Sequence, residues 1–134
     1  MSIVKIRAAL ETALNSITPA LETAWENVEF TPTTGTAYQR AYLIFAEPNN
    51  QEYGPNYQEI GYLQIDLNYP LMSGPNASDT RFELIRDTFK RGTSFIYSGV
   101  TVTINRTPSI SPAYISGDRF IRPVKIRFYS NVGL

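Results

Sequence analysis

The stretch from Tyr57 to Tyr69 constrains the fold of this chain more than any other. Tyr57, Gly61, Leu63, Ile65, Leu67 and Tyr69 fall on one side of a two-residue alternation, and Gln58, Gln64, Asp66 and Asn68 fall on the other. That pattern describes a strand with one buried face and one wet face. Pro70 has no N–H to give a ladder, so it marks the end or an edge of the strand. Ser73-Gly74-Pro75-Asn76 turns the chain, and a helix is predicted over 76–91 with Phe82, Ile85 and Phe89 on its inner stripe and Leu84 at one margin. Gly92 is its expected cap.

The remaining elements follow from the same rules. Ser2 is placed to cap a helix reaching about Ile17, with Ile3, Ile6, Leu10, Leu14 and Ile17 at helical spacing, until Thr18-Pro19 stops it. Ala20 to Glu26 reads as an extended link or a short helical turn. Trp25 reads as a core or subunit-contact anchor, since no basic residue beside it favours base stacking. Val28 and Phe30 predict a short strand, Thr31 to Thr36 a polar turn, and Tyr38 to Ala46 a second strand. Both parities of that strand are apolar, so cover on both faces is expected. Glu47 to Asn56 reads as a long exposed loop, either a plain connection or a partner-contacting arm. Phe95 to Tyr97 and Val100 to Asn105 form a predicted hairpin about Ser98-Gly99. Pro108 to Gly117 reads as irregular. In the last strand, from about Arg119 to Tyr129, Phe120, Val124, Ile126 and Phe128 share one face, while Lys125, Arg127 and Tyr129 share the other. Arg122 next to Pro123 predicts a bulge or an edge.

Composition then removes most chemistries. At 134 residues the chain has the size of one domain, and its 12 basic and 12 acidic residues cancel. Grip on a phosphate backbone comes from neutralising several phosphates at once, so a dedicated nucleic-acid binder is disfavoured. There is no Cys and no His, which removes thiolate chemistry, Cys-based metal sites, the commonest general base and most transition-metal sites. The nine Tyr suit half-exposed strands and interfaces, where the ring packs and the hydroxyl stays hydrated. No apolar run approaches the roughly 20 residues that span a bilayer, and no signal peptide is visible, so the chain is expected to be soluble and made in the cytoplasm.

Two charge clusters remain. Asp79, Glu83 and Asp87 share the outer face of the second helix, and ordinary surface pairing with Arg86, Lys90 and Arg91 explains them better than a metal or acid–base site. Arg119, Arg122, Lys125 and Arg127 form the one basic concentration. It reads as a solvated strand face that blunts a sheet edge, or as a ring-lining or subunit-pairing face matched by Glu47, Glu52 and Glu59 on a neighbour. No phosphate-cradling glycine loop, nucleophile elbow or paired-carboxylate motif is present. Aromatic strands with complementary charge favour self-assembly over catalysis.

Several stretches in order resemble a family of small phage tail proteins, the tail-terminator-like domain. They are R-A-A-L-E-T-A-L (7–14), I-T-P-A-L (17–21), A-W-E-N-V-E-F-T-P (24–32), Y-Q-R-A-Y-L (38–43), G-P-N-A-S-D-T-R-F-E-L-I-R (74–86), R-G-T-S-F (91–95), G-V-T-V-T-I (99–104) with R-T-P (106–108), and G-D-R-F-I-R-P-V-K-I-R-F-Y (117–129). The resemblance implies a single α+β domain over 1–134, with two helices on a mostly antiparallel sheet of about five to six strands. The implied order is α-β-β-β-α-β-β-β. It further implies a homo-oligomeric ring of about six copies on the head-proximal end of a long non-contractile tail tube. Such a ring stops polymerisation of the tube protein and offers a surface to head-completion or connector proteins, with DNA only passing through its lumen. The implied location is the virion, at the head–tail junction. The family supplies no catalytic residue, cofactor or metal. Within this frame Glu47, Glu52, Tyr53 and Tyr57 are expected in a projecting arm, and Arg119, Arg122, Lys125 and Arg127 at assembly or lumen contacts. A head–tail connector role is the neighbouring alternative. A small-molecule-binding domain or enzyme is the distant one, and would need a pocket with convergent polar groups.

Overall fold

The computed structural model describes residues 2–48, 50, 57–72 and 74–132, Ser2 by its backbone alone. Ser73 of the expected turn, and Glu52 and Tyr53 of the expected arm, lie outside them. Helix α1 spans Ser2–Asn15 and α2 spans Asn76–Thr88. The strands are β1 Thr23–Ala24, β2 Tyr38–Phe45, β3 Tyr57–Pro70, β4 Ser94–Tyr97, β5 Val100–Ile104, β6 Ser109–Ile110, β7 Tyr114–Ser116 and β8 Arg119–Val132. They form one sheet in the order β1-β2-β3-β8-β5-β4, with β6 and β7 also paired to β8. The fold is α+β. Its sheet is mixed because β1 runs parallel to β2, while the other pairings are antiparallel.

Strands β3 and β8 are the spine, paired without interruption from Tyr57↔Val132 to Pro70↔Arg119. Their inward residues build the core in rows across three strands: Leu43, Leu63 and Ile126 in one, Ala41, Ile65 and Val124 in the next. Ile6, Leu10, Leu14 and Ile17 cover these rows from the α1 side, and Phe82, Ile85 and Phe89 from the α2 side. Ile3 departs from the expected stripe, being 49% exposed. Both helices therefore lie on one face of the sheet. Among the described residues no helix lies on the other face, on which β3 carries Tyr62, Gln64 and Asp66 and which the loop before β2 covers near Tyr38 and Arg119.

Several expectations change for identifiable reasons. Val28 and Phe30 are not a strand. Asn27 takes a positive φ of 55° and the Val28 N–H bonds back to the Trp25 carbonyl at 3.3 Å, so the chain reverses there. The short strand is Thr23–Ala24 instead, held to β2 by Gln39 N–H on the Glu22 carbonyl at 2.8 Å. Strand β2 is covered on both faces only where it starts: Ala41 and Leu43 are buried on the helix side and Tyr38 is 6% exposed on the other, whereas Ile44, of Tyr38's parity, is 39% exposed. Pro123 makes no bulge. Its carbonyl accepts from Ser111 N–H at 2.9 Å, and a residue's N and C=O point to the same strand edge. The missing donor thus faces the gap between β6 and β7, where no ladder needs it. Those two strands occupy part of the stretch expected to be irregular. Gly92 does not cap α2, which ends at Thr88; its N–H bonds the Ile104 carbonyl at 2.7 Å and ties the β4 entry to β5.

Gly61 sits mid-strand for a steric reason. A Cβ there would lie 2.3 Å from the Ile44 carbonyl oxygen. Phe45 and Phe128 flank it on the neighbouring strands, and their rings meet edge-on with centroids 5.9 Å apart.

Candidate interaction face of the sheet

The four cations of β8 do not act together. Arg119 is 6% exposed and serves the loop before β2: its guanidinium donates to the Thr36 carbonyl, donates to the Thr33 carbonyl at 2.8 Å, and lies 4.9 Å over the Tyr38 ring. Asp118, 4.0 Å away and largely exposed, adds little to so well-satisfied a group. Arg122 is partly buried, donating from Nε to the Ser111 carbonyl at 3.3 Å and pairing with Asp79 of α2 at 3.4 Å. Arg119 and Arg122 are therefore engaged with partners in their own copy, Arg119 almost wholly buried. Lys125 and Arg127 remain on the helix-free face, Lys125 Nζ 5.0 Å and the Arg127 guanidinium carbon 5.8 Å from the Tyr62 ring centre.

Sheet register places Tyr62 between Ile44 and Arg127, and Gln64 between Tyr42 and Lys125. The Asp66 carboxylate takes a hydrogen bond from Gln64 Nε2 at 3.1 Å. Burial, and then the Asp66 charge, push the Tyr42 hydroxyl above its ordinary pKa, so it stays a neutral donor at physiological pH.

At the end of this face, where β5 stops, lies a cleft of about 460 Å³ lined by Ile60, Tyr62, Asn105, Arg106 and Arg127 among others. A second hollow of about 620 Å³ is lined by Arg91, Asn105, Arg106 and Thr107, so Asn105 and Arg106 belong to both. Arg106 thus borders both hollows, with Arg127 on the first and Arg91 on the second, and none of their described lining residues is acidic. Sequence reasoning placed Arg91 at a helix end and gave Arg106 no role. Only the sheet register brings them to Arg127, through Asn105 N–H on the Arg127 carbonyl at 3.4 Å.

The expected acidic partners fare unevenly. Glu47 is exposed and directly follows Ala46, which lines the cleft. Glu59 is 5% exposed and cannot meet a neighbour. Tyr57 is half-buried and opens β3, paired with Val132, so it belongs to the sheet and not to an arm. Glu52 and Tyr53 lie outside the described residues.

On α2 the outer carboxylates do not form the surface pairs expected of them. Asp79 turns to Arg122. Arg86 stacks over Phe82 at 4.4 Å and donates to the Pro108 carbonyl at 3.2 Å. Glu83 and Asp87 stay exposed, on the side of the helix opposite Phe82, Ile85 and Phe89.

Trp25 supplies a second surface feature. It packs partly on the core and lines two shallow grooves of about 400 and 490 Å³ between α1 and the 26–28 turn. Beside it, Glu26 Oε1 accepts from Leu43 N–H at 2.6 Å and from Arg7 at 3.1 Å. The Leu43 bond, and then Arg7, hold the Glu26 carboxyl below its ordinary pKa against the opposing effect of burial. Among the described residues no group of His, Cys, Asp or Glu is arranged to hold a metal ion.

Comparison with known proteins adds a family to this geometry. A family model described as phage tail terminator protein matches residues 5–128. One solved structure, whose title states no function, superimposes with a TM-score of 0.80 at 24% identity, covering 100% of this chain and 98% of its own. That likeness concerns the fold. No curated protein sequence matches the chain.

Proposed function

We infer the function from one premise: this chain belongs to the phage tail terminator family. The family is one of phage tail structural proteins, and its role calls for no catalysis. Our reading is that copies of this chain close into a ring on the head-proximal end of the tail tube. The ring stops addition of tube subunits and presents its free side to a head-completion or connector protein. DNA passes through the lumen without being gripped, in keeping with 12 basic and 12 acidic residues.

The family match over 5–128 carries this reading. The architecture supports it physically. Capping requires a rigid subunit with separate surfaces for its ring neighbours and for the tube. A sheet layered with helices on one side only offers a broad uncovered face, and the Trp25 groove lies apart from it.

The test is tube growth. Purified tube subunit is polymerised with increasing amounts of this protein, and growth is followed by light scattering and by length measurement in electron micrographs. Substoichiometric protein should arrest growth and shorten the length distribution in proportion to the number of ends capped. Growth that proceeds unchanged to the same lengths counts against the proposal.

A further inference from the structure

Opposite charges stand apart on the surface of this neutral chain. The first hollow, at the end of the sheet, is lined by Arg106 and Arg127, with Lys125 beside Tyr62 on the adjoining sheet face. The helix layer presents Glu83 and Asp87 one turn apart on the exposed side of α2.

Among the described residues none of Glu83, Asp87, Arg106 and Arg127 forms an ion pair within its own copy. A contact between two copies gives all four an opposite charge. The spacing also fits: side chains four apart on a helix have Cβ atoms about 5–6 Å from each other. That is suited to two carboxylates entering a cleft whose Arg forks donate to them in bidentate fashion.

We propose that Glu83 and Asp87 of one copy seat in the cleft of Arg106 and Arg127 on the next, so that the helix layer of each subunit meets the sheet face of its neighbour. Such a contact is heterologous: it joins two different patches, repeats from copy to copy, and closes where its rotation permits. The proposal rests on the ring reading for that closure, while the contact itself is tested independently.

Two variants of the full chain are made, R106E/R127E and E83K/D87K. All four residues are exposed, and circular dichroism checks that each variant is folded. Sedimentation and light scattering at low salt follow self-association up to about millimolar concentration. The unmodified chain associates, and added salt weakens the association. Each variant alone associates at least about tenfold more weakly, since its two surfaces now repel. Mixing the variants restores association, because each contact again joins opposite charges.

A monomeric unmodified chain at every concentration, variants that associate normally, or a mixture that stays apart would overturn the proposal. Duplex DNA binding that is lost in R106E/R127E while self-association is untouched would assign the cleft to phosphate and overturn it as well. Restored association in the mixture without arrest of tube growth would leave the contact standing and remove the terminator role.

Discussion

Glu26 stands where a further strand would otherwise lie. Strand β1 covers β2 only opposite Gln39 and Arg40, and the next outward N–H, that of Leu43, goes to the Glu26 carboxylate at 2.6 Å. A charge at an exposed edge also repels a stray strand. Because the folded state lowers the Glu26 pKa, the carboxylate contributes stability above the ordinary carboxyl pKa, and that contribution is lost as pH falls through the folded value. Glu26→Gln keeps the acceptor and removes the charge. The stability difference between the two proteins, from urea midpoints, should be positive at about pH 7 and shrink as acid protonates the folded-state carboxylate. A difference independent of pH would show that the charge does not matter. Gly61→Ala probes a different constraint. Alanine usually reduces the entropy of the unfolded chain and stabilises. Here its Cβ meets the Ile44 carbonyl at 2.3 Å, a backbone atom that must move. The expected result is a loss of about 1–3 kcal/mol in urea unfolding; an unchanged or raised midpoint would contradict the packing described.

At the scale of elements, what could be read in the sequence depended on whether a residue's role is decided locally. Strand β3 shows its alternation because one face is wet along most of its length. The hairpin of β4 and β5 shows its turn because Ser98 and Gly99 both take positive φ, 49° and 84°. Strands β6 and β7 hold two and three residues, too few for a period, and are defined only by their partner β8. Pro123 misleads because its effect depends on which neighbour its missing N–H faces, and that is tertiary information. The basic residues of β8 were legible as a cluster, but not their division. Arg119 shares its parity with Lys125 and Arg127, yet the loop before β2 covers it. Arg91 and Arg106 were hidden for the converse reason, since residues distant in sequence meet only through the register. This division predicts different outcomes along one strand. Arg119→Ala removes two charge-assisted hydrogen bonds made by a buried guanidinium and should cost about 1.5–3 kcal/mol in urea unfolding. Arg127→Ala should stay within about 0.5 kcal/mol and affect only association. Equal losses at both positions would argue against separate roles.

For the whole molecule, the proposed contact lets a neutral chain assemble in one direction. One layer of helices on one sheet leaves two unlike surfaces, and a sheet face joined to a helix face gives every subunit the same neighbour relation. A body built this way suits a ring that ends a tube: lateral contacts are used up on closure, leaving the two sides of the ring for different partners. The most direct measurement of that claim is the position of this protein on assembled tails. Electron micrographs of tubes formed with the protein, averaged at their ends, should show ring-shaped density at one end only, the end that joins heads. Density spread along the tube, or both ends bare while the protein remains in solution, would contradict the account.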